Sequence, residues 1–179
     1  MSQAIQFVPV TTVPQFDVVA GLAHEIWYEY YVPLIGRAQV DYMVSRFQSS
    51  EAMAQQIRED YEYFLIQRDR VQHGPAQDQG RSIGYCALQP QPAESSLFLS
   101  KLYLLRDARG AGTGRVCMEF IEQLARRRGL TLIWLTVNKG NPAVKAYERL
   151  GFRQSGETET HTLIPASMPW VRRSEKSTK

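Results

Sequence analysis

The order of elements readable in this 179-residue chain predicts an α/β (α+β) domain. Three observations carry that expectation. Short apolar runs alternate with stretches whose apolar residues recur at three- and four-residue steps. Clusters of Gly, Pro and polar residues punctuate them. A glycine-rich hexapeptide, Arg109-Gly-Ala-Gly-Thr-Gly114, joins an apolar run to a helical pattern.

In chain order, Ile5 to Val10 reads as a first strand. Pro14 to about Ile35 is helical, with Val18, Val19, Leu22, Ile26 and Tyr30 on the apolar stripe and Pro33 and Gly36 at its end. Gln39 to Phe47 is a second amphipathic helix, and Ser50-Glu51 opens a third through Ile57. Tyr61 to Gln67 and Ser82 to Leu88 form a hairpin around the polar turn His73 to Gly80. Gln89 to Glu94 is a turn, and Leu97 to Leu105 is a long strand that runs into the glycines. A helix follows from Gly112 to Arg128, with Val116, Phe120, Ile121 and Leu124 as its stripe and Gly129 as C-cap. Arg126 to Arg128 suit the negative end of its dipole. Leu130 to Val137 is a buried strand. Asn141-Pro142 starts a helix through Leu150, with Pro at its first position, and Phe152 begins another strand. The expected order is β-ααα-β-β-β-α-β-α-β, one domain over residues 1–170, followed by a polar tail at 171–179.

Composition narrows the function. The apolar fraction is 44% and the net charge +3, which suits a globular domain and gives no argument for nucleic acid. No apolar stretch is long enough to span a bilayer, and residues 1–10 do not read as a signal peptide. Cys86 and Cys117 form no C-x-x-C pair and read as buried thiols of a cytoplasmic protein. His24, His73 and His161 lack metal-ligand spacing, so no metal is expected.

The hexapeptide leaves backbone amides bare at the mouth of a helix, which makes it either an anion site or a plain glycine-rich turn. A P-loop fails, because Arg115 and Val116 follow Gly114 where Lys and Ser/Thr are required. The dinucleotide fingerprint fails at Arg115, where its third glycine belongs. What remains is R-x-x-G-x-G, at Arg109, Gly112 and Gly114.

A second segment, Asn141 to Phe152, reads N-x-A-x-x-x-Y-x-x-x-G-F. Together with Lys101 to Gly114, and in this order of elements, it resembles the GNAT superfamily of N-acetyltransferases. The resemblance covers roughly residues 5–156 and implies a central mixed, mostly antiparallel sheet of six to seven strands flanked by helices. It further implies acetyl-CoA as co-substrate, with Arg109, Gly110, Ala111, Gly112, Thr113, Gly114 and Arg115 around the pyrophosphate. Leu102, Tyr103 and Leu104 would run beside the pantetheine. The amide of Leu102 or Leu104 would polarise the thioester carbonyl. Asn141 would bond the pantetheine or thioester region; its position suits an N-cap equally well. Tyr147 would protonate the departing sulfur, the alternative being a packing aromatic. Glu25 to Phe47 also resembles the small-molecule and polyamine-acetylating branch.

The acceptor must attack as a free amine, and near pH 7 only about 1 alkylamine in 2,500 is unprotonated, a cost of about 4.6 kcal/mol. A base is therefore useful. Glu25 and Glu29 share a helix face among Trp27, Tyr28, Tyr30 and Tyr31, a setting that suits a cationic amine or, equally, a solvated helix. Asp60, Glu62, His24 and His73 are further candidates. One departure stands out: Thr160 to Ile164 can form only a short strand, and Pro165 and Pro169 are expected to stop a longer one.

The expected function is transfer of acetyl to a primary amine of a small molecule in a ternary complex. Acetylation of a protein lysine or N-terminus, and a non-catalytic acyl-CoA-binding module, are the alternatives. Neither nucleic acid nor membrane is an expected partner; monomer and homodimer are both open.

Overall fold

The computed structural model describes residues 4–69, 80–138, 141–154 and 167–173. The elements are β1 (Ile5–Pro9), α1 (Val13–Ile35), α2 (Arg37–Phe47), α3 (Ser50–Arg58), β2 (Glu62–Arg68), β3 (Arg81–Gln91), β4 (Ser96–Leu104), α4 (Thr113–Arg127), β5 (Leu132–Asn138), α5 (Ala143–Arg149), β6 (Arg153–Gln154) and β7 (Ser167–Arg173). Among the described residues the sheet has seven strands in the order β1-β2-β3-β4-β5-β7-β6. The pairs β1–β2, β5–β7 and β6–β7 are antiparallel, whereas β4–β5 is parallel. This is the mixed, mostly antiparallel arrangement that the sequence implied.

The chain groups into two compact units, Met1–Ala87 with Lys101–Thr113, and Leu88–Ser100 with Gly114–Lys179. In the first, the backbone amides of Thr11 and Thr12 both donate to Gln15 Oε1, at 2.8 and 3.0 Å, and start α1. Its buried face is Val19, Leu22, Ala23, Ile26 and Trp27. Val18, expected on that stripe, is 44% exposed, because it lies about 100° around the helix from Val19. Tyr85, Tyr63, Met53 and Leu105 complete this core. Gly84 is required where it stands: a Cβ there would lie 2.3 Å from the carbonyl oxygen of Tyr103.

In the second unit, α4 buries Cys117, Met118, Ile121 and Ala125. Val116 is 37% exposed, so the expected stripe is displaced by one residue. The helix begins at Thr113 rather than Gly112, whose φ of +80° excludes it from a right-handed helix. Gly129 and Gly151, at φ +71° and +88°, terminate α4 and α5 as expected.

Three further expectations are revised. β3 continues through Pro90 to Gln91; with eleven residues against seven in β2, it outlasts that partner, and a proline is tolerated there. Pro169 lies inside β7, opposite Thr136, rather than stopping the strand. Val171 to Arg173 belong to the same strand rather than to a polar tail. The turn around His73, the segment Thr160 to Ile164, and His161 lie outside the described residues.

Candidate active site

The first unit carries the strand end and the loop. Leu105 N–H donates to Ile83 O at 2.9 Å, which aims its polar groups at β3. Strand alternation then aims those of Leu104 and Leu102 at the opposite edge. The Leu104 carbonyl agrees, since it accepts the Nε–H of Arg109 at 2.9 Å. Both amides considered as carbonyl polarisers thus share one edge. Tyr103 differs from its neighbours: its ring packs against Tyr85 and Trp27, at 5.5 and 5.7 Å between centroids. Its side chain serves the core.

A short 3-10 turn, Arg106–Ala108, then leads into the glycines. Gly110 and Gly112 have φ of +82° and +80°, in the left-handed region. A Cβ added to either would touch nothing within 4 Å, so the backbone there is open. Ala111 is exposed and Thr113 buried.

Arg109 is held on three sides. Besides Leu104 O, its guanidinium donates to Glu29 Oε2 at 2.7 Å and stands 5.3 Å from the Tyr30 ring centroid. Burial pushes the Tyr30 phenol up. Glu29 therefore has a specific cationic partner, whereas Glu25 is exposed one turn earlier on α1. The aromatics around them do not form one lining. Trp27 is buried, Tyr28 donates to Asp41, and His24 stacks on Tyr28 at 4.1 Å. Of the other candidates, Asp60 is exposed in a turn at φ +64°, and Glu62 opens β2.

Lys101 is a buried lysine that none of the sequence expectations singled out. Its ammonium is buried and donates to Phe47 O at 2.8 Å, Gln56 Oε1 at 3.1 Å and Tyr63 OH at 2.7 Å. None of these acceptors is a carboxylate, and burial lowers its pKa to about 7. A lysine inside the apolar run Leu97 to Leu105 was the signal that could have found it.

In the second unit, the β4–β5 ladder covers only Ser96–Phe98 with Leu132–Trp134. Beyond it, Leu135 to Asn138 continue the ladder to β7 on the other side. Phe98 and Trp134 stack at 4.2 Å, and the Trp134 indole donates to Gln91 at 2.9 Å. Gly114 and Arg115 form the start of α4, whose first amides have no intrahelical acceptor. Arg115 is exposed and pairs with Glu119 at 3.3 Å. Asn141 Oδ1 accepts the Ala143 N–H at 2.9 Å, so it caps α5. Half-buried Tyr147 meets Phe152 edge-on at 5.7 Å. At the far end of α5, Arg172 donates to Leu150 O and, at 2.6 Å, to Glu122 Oε1. Buried Cys117 has its thiol pushed up to about 12 by burial, which leaves it protonated and inert near neutrality. Among the described residues, no side chains gather as a metal site and no helix is long and apolar enough to cross a membrane.

Residues 33–152 match the model of the Acetyltransferase (GNAT) family. The chain belongs to the GNAT acetyltransferase family. Among similar proteins, this GNAT chain is 35% identical over 78 residues to streptothricin acetyltransferase of Streptomyces lavendulae, covering 43% of this chain and 41% of that one. It is 28% identical over 131 residues to the probable N-acetyltransferase camello of Xenopus laevis, covering 72% and 54%. The chain thus spans about half the length of these curated relatives. The fold resembles the crystal structure of a paiA N-acetyltransferase from Thermoplasma acidophilum in complex with coenzyme A. The TM-score there is 0.74 at 16% identity, over 97% of this chain and 99% of that one.

Proposed function

We propose that this chain is an acetyl-CoA-dependent N-acetyltransferase that transfers acetyl to a primary amine of a small molecule by direct attack in a ternary complex. The observation that carries the reading is the loop. Gly110 and Gly112 take left-handed conformations with open space where a side chain would stand, just ahead of a helix start. Such a run of amides at a helix N-terminus suits a pyrophosphate. The family assignment supports coenzyme A as the source of that pyrophosphate, as does the Thermoplasma relative, which was solved with that molecule.

The residues then take the following roles. Amides of Arg109 to Arg115 hold the pyrophosphate. Leu102 and Leu104, on the edge of β4 turned away from β3, bond the pantetheine, and one of their amides polarises the thioester carbonyl. The amine nitrogen forms its bond to that carbon and the carbon–sulfur bond breaks. The sulfur takes the proton of Tyr147, one proton of the acceptor ammonium leaves to a base, for which exposed Glu25 is the candidate, and the surplus proton of the new amide nitrogen restores the Tyr147 phenol. Asn141 orients the start of α5. The streptothricin-named relative supports a small-molecule acceptor. A cytoplasmic setting suits the two buried free cysteines.

The test is thiol release from acetyl-CoA across a panel of amines and lysine peptides. Turnover with small amines supports the reading, and turnover with peptides alone replaces the acceptor. Coenzyme A binding without any thiol release leaves a binding module in its place. Tyr147→Phe is expected to slow turnover about 100-fold while coenzyme A binding stays within about twofold. Equal turnover removes Tyr147 from the acid role.

A further inference from the structure

We infer that Glu29 is a positioning residue for the donor loop, acting through Arg109, rather than the base that deprotonates the acceptor. The inference rests on the coenzyme A reading above.

Three contacts converge on one guanidinium. Glu29 Oε2 accepts from an Arg109 terminal nitrogen at 2.7 Å, Leu104 O accepts from Arg109 Nε at 2.9 Å, and the Tyr30 ring lies 5.3 Å away. The donors that Arg109 could offer to a phosphate are partly committed inside the protein. Its position is immediately before Gly110 and Gly112, whose left-handed conformations give the loop little stiffness of its own. A charged clamp at the first residue compensates. It fixes where the loop leaves β4, and so where the following amides point. The ion pair is about one-third exposed on each side, 31% and 34%. That is enough burial to hold a geometry and too little to cost much desolvation.

A carboxylate engaged in this way is poorly suited to remove a proton from the acceptor. Its Oε2 already accepts from Arg109 at 2.7 Å, so that oxygen is committed to the loop rather than open to the acceptor. The same pairing gives Tyr30 its function: a guanidinium on an aromatic face keeps one orientation.

The experiment compares the unaltered protein with Glu29→Gln, Arg109→Ala and the double variant in three measurements. These are calorimetric affinity for coenzyme A, ligand-free hydrogen exchange of the Gly110 to Arg115 amides, and the pH profile of kcat. Glu29→Gln is expected to weaken coenzyme A binding about fivefold and Arg109→Ala about 20-fold. The double variant is expected to lose about 20-fold, not 100-fold, because one clamp is removed either way. Loop amides should exchange faster in all three variants, and the kcat profile of Glu29→Gln should keep its acidic limb. Unchanged coenzyme A affinity, unchanged exchange or a lost acidic limb in Glu29→Gln overturns the assignment while leaving the coenzyme A reading intact. Failure of the unaltered protein to bind coenzyme A overturns both.

Discussion

Lys101 and Arg109 are two cations of one strand and the loop it enters, yet their surroundings are opposite. Arg109 keeps a third of its side chain in water and has a carboxylate and an aromatic ring beside it. Lys101 is 8% exposed and meets only neutral acceptors, from the end of α2, from α3 and from β2. A guanidinium stays charged in either setting, but an ammonium without a counter-ion gives up proton affinity, here down to about 7. The difference separates two ways of fixing one stretch of backbone. One clamp works at every pH near neutrality, whereas the other changes character close to it.

The largest expected effect tests the strand between these cations. Gly84→Ala forces a Cβ to 2.3 Å from Tyr103 O, and backbone cannot yield cheaply. A loss of about 3 kcal/mol in denaturant unfolding is expected. A loss below about 1 kcal/mol would mean that β3 and β4 separate freely there.

Next comes the pH dependence of the Lys101 clamp. Its folded pKa lies below its unfolded value, so the unfolded chain binds more protons between about pH 7 and 10.5, and stability rises with pH through that window. Cys117, raised from 9.0 to about 12, opposes the trend above about pH 9. Tyr63 and Tyr85, also raised by burial, oppose it above about pH 10. Between pH 7 and 8.5 the rise should approach about 1.4 kcal/mol per pH unit. Lys101→Met should remove that slope; an unchanged slope would assign it to other groups.

The Arg109 clamp should contribute less. Glu29→Gln is expected to cost about 0.5 kcal/mol of stability, shrinking as salt is raised, because the pair is partly exposed. A loss that does not respond to salt would point to packing instead. Smallest of all, Val116→Thr should shift stability by less than about 0.5 kcal/mol, since the side chain is 37% exposed. A loss above 1 kcal/mol would restore Val116 to the apolar stripe.

How far the sequence could be read follows from the same physics. Periodicity, caps and glycines are local, and they located the strands and helices to within a few residues. Gly129 and Gly151 were each legible because a left-handed turn at a helix end needs glycine, whereas Gly112 was taken into the helix it precedes. The phase of a stripe was less secure: in α1 and α4 two adjacent apolar residues compete for the core, and only packing decides between Val18 and Val19 or Val116 and Cys117. The last strand was misread because Pro169 is disfavoured locally, yet it sits opposite Thr136 in a register that no local pattern encodes. In the candidate site, the loop and the cap at Asn141 were legible as motifs. The partners of Glu29 and Lys101 were not, because Arg109 lies 80 residues from Glu29, and Tyr63 lies 38 residues from Lys101. Pairing at that range is a property of the fold, and it turned an apparent pair of acids on α1 into one exposed acid and one clamped acid.

The strand order within the second unit has a consequence in time. β7 lies between β5 and β6, and β6 precedes it in the chain. During synthesis β6 therefore emerges before the strand it must pair with exists. It cannot join the sheet until Ser167 to Arg173 have been made and have paired along β5. Arg172, which donates to the carbonyl of Leu150 just past α5, arrives at the same moment. The helix bearing Tyr147 is thus fastened at its far end by a strand made after it, so a translation product stopped before Ser167 would carry that helix without its fastening.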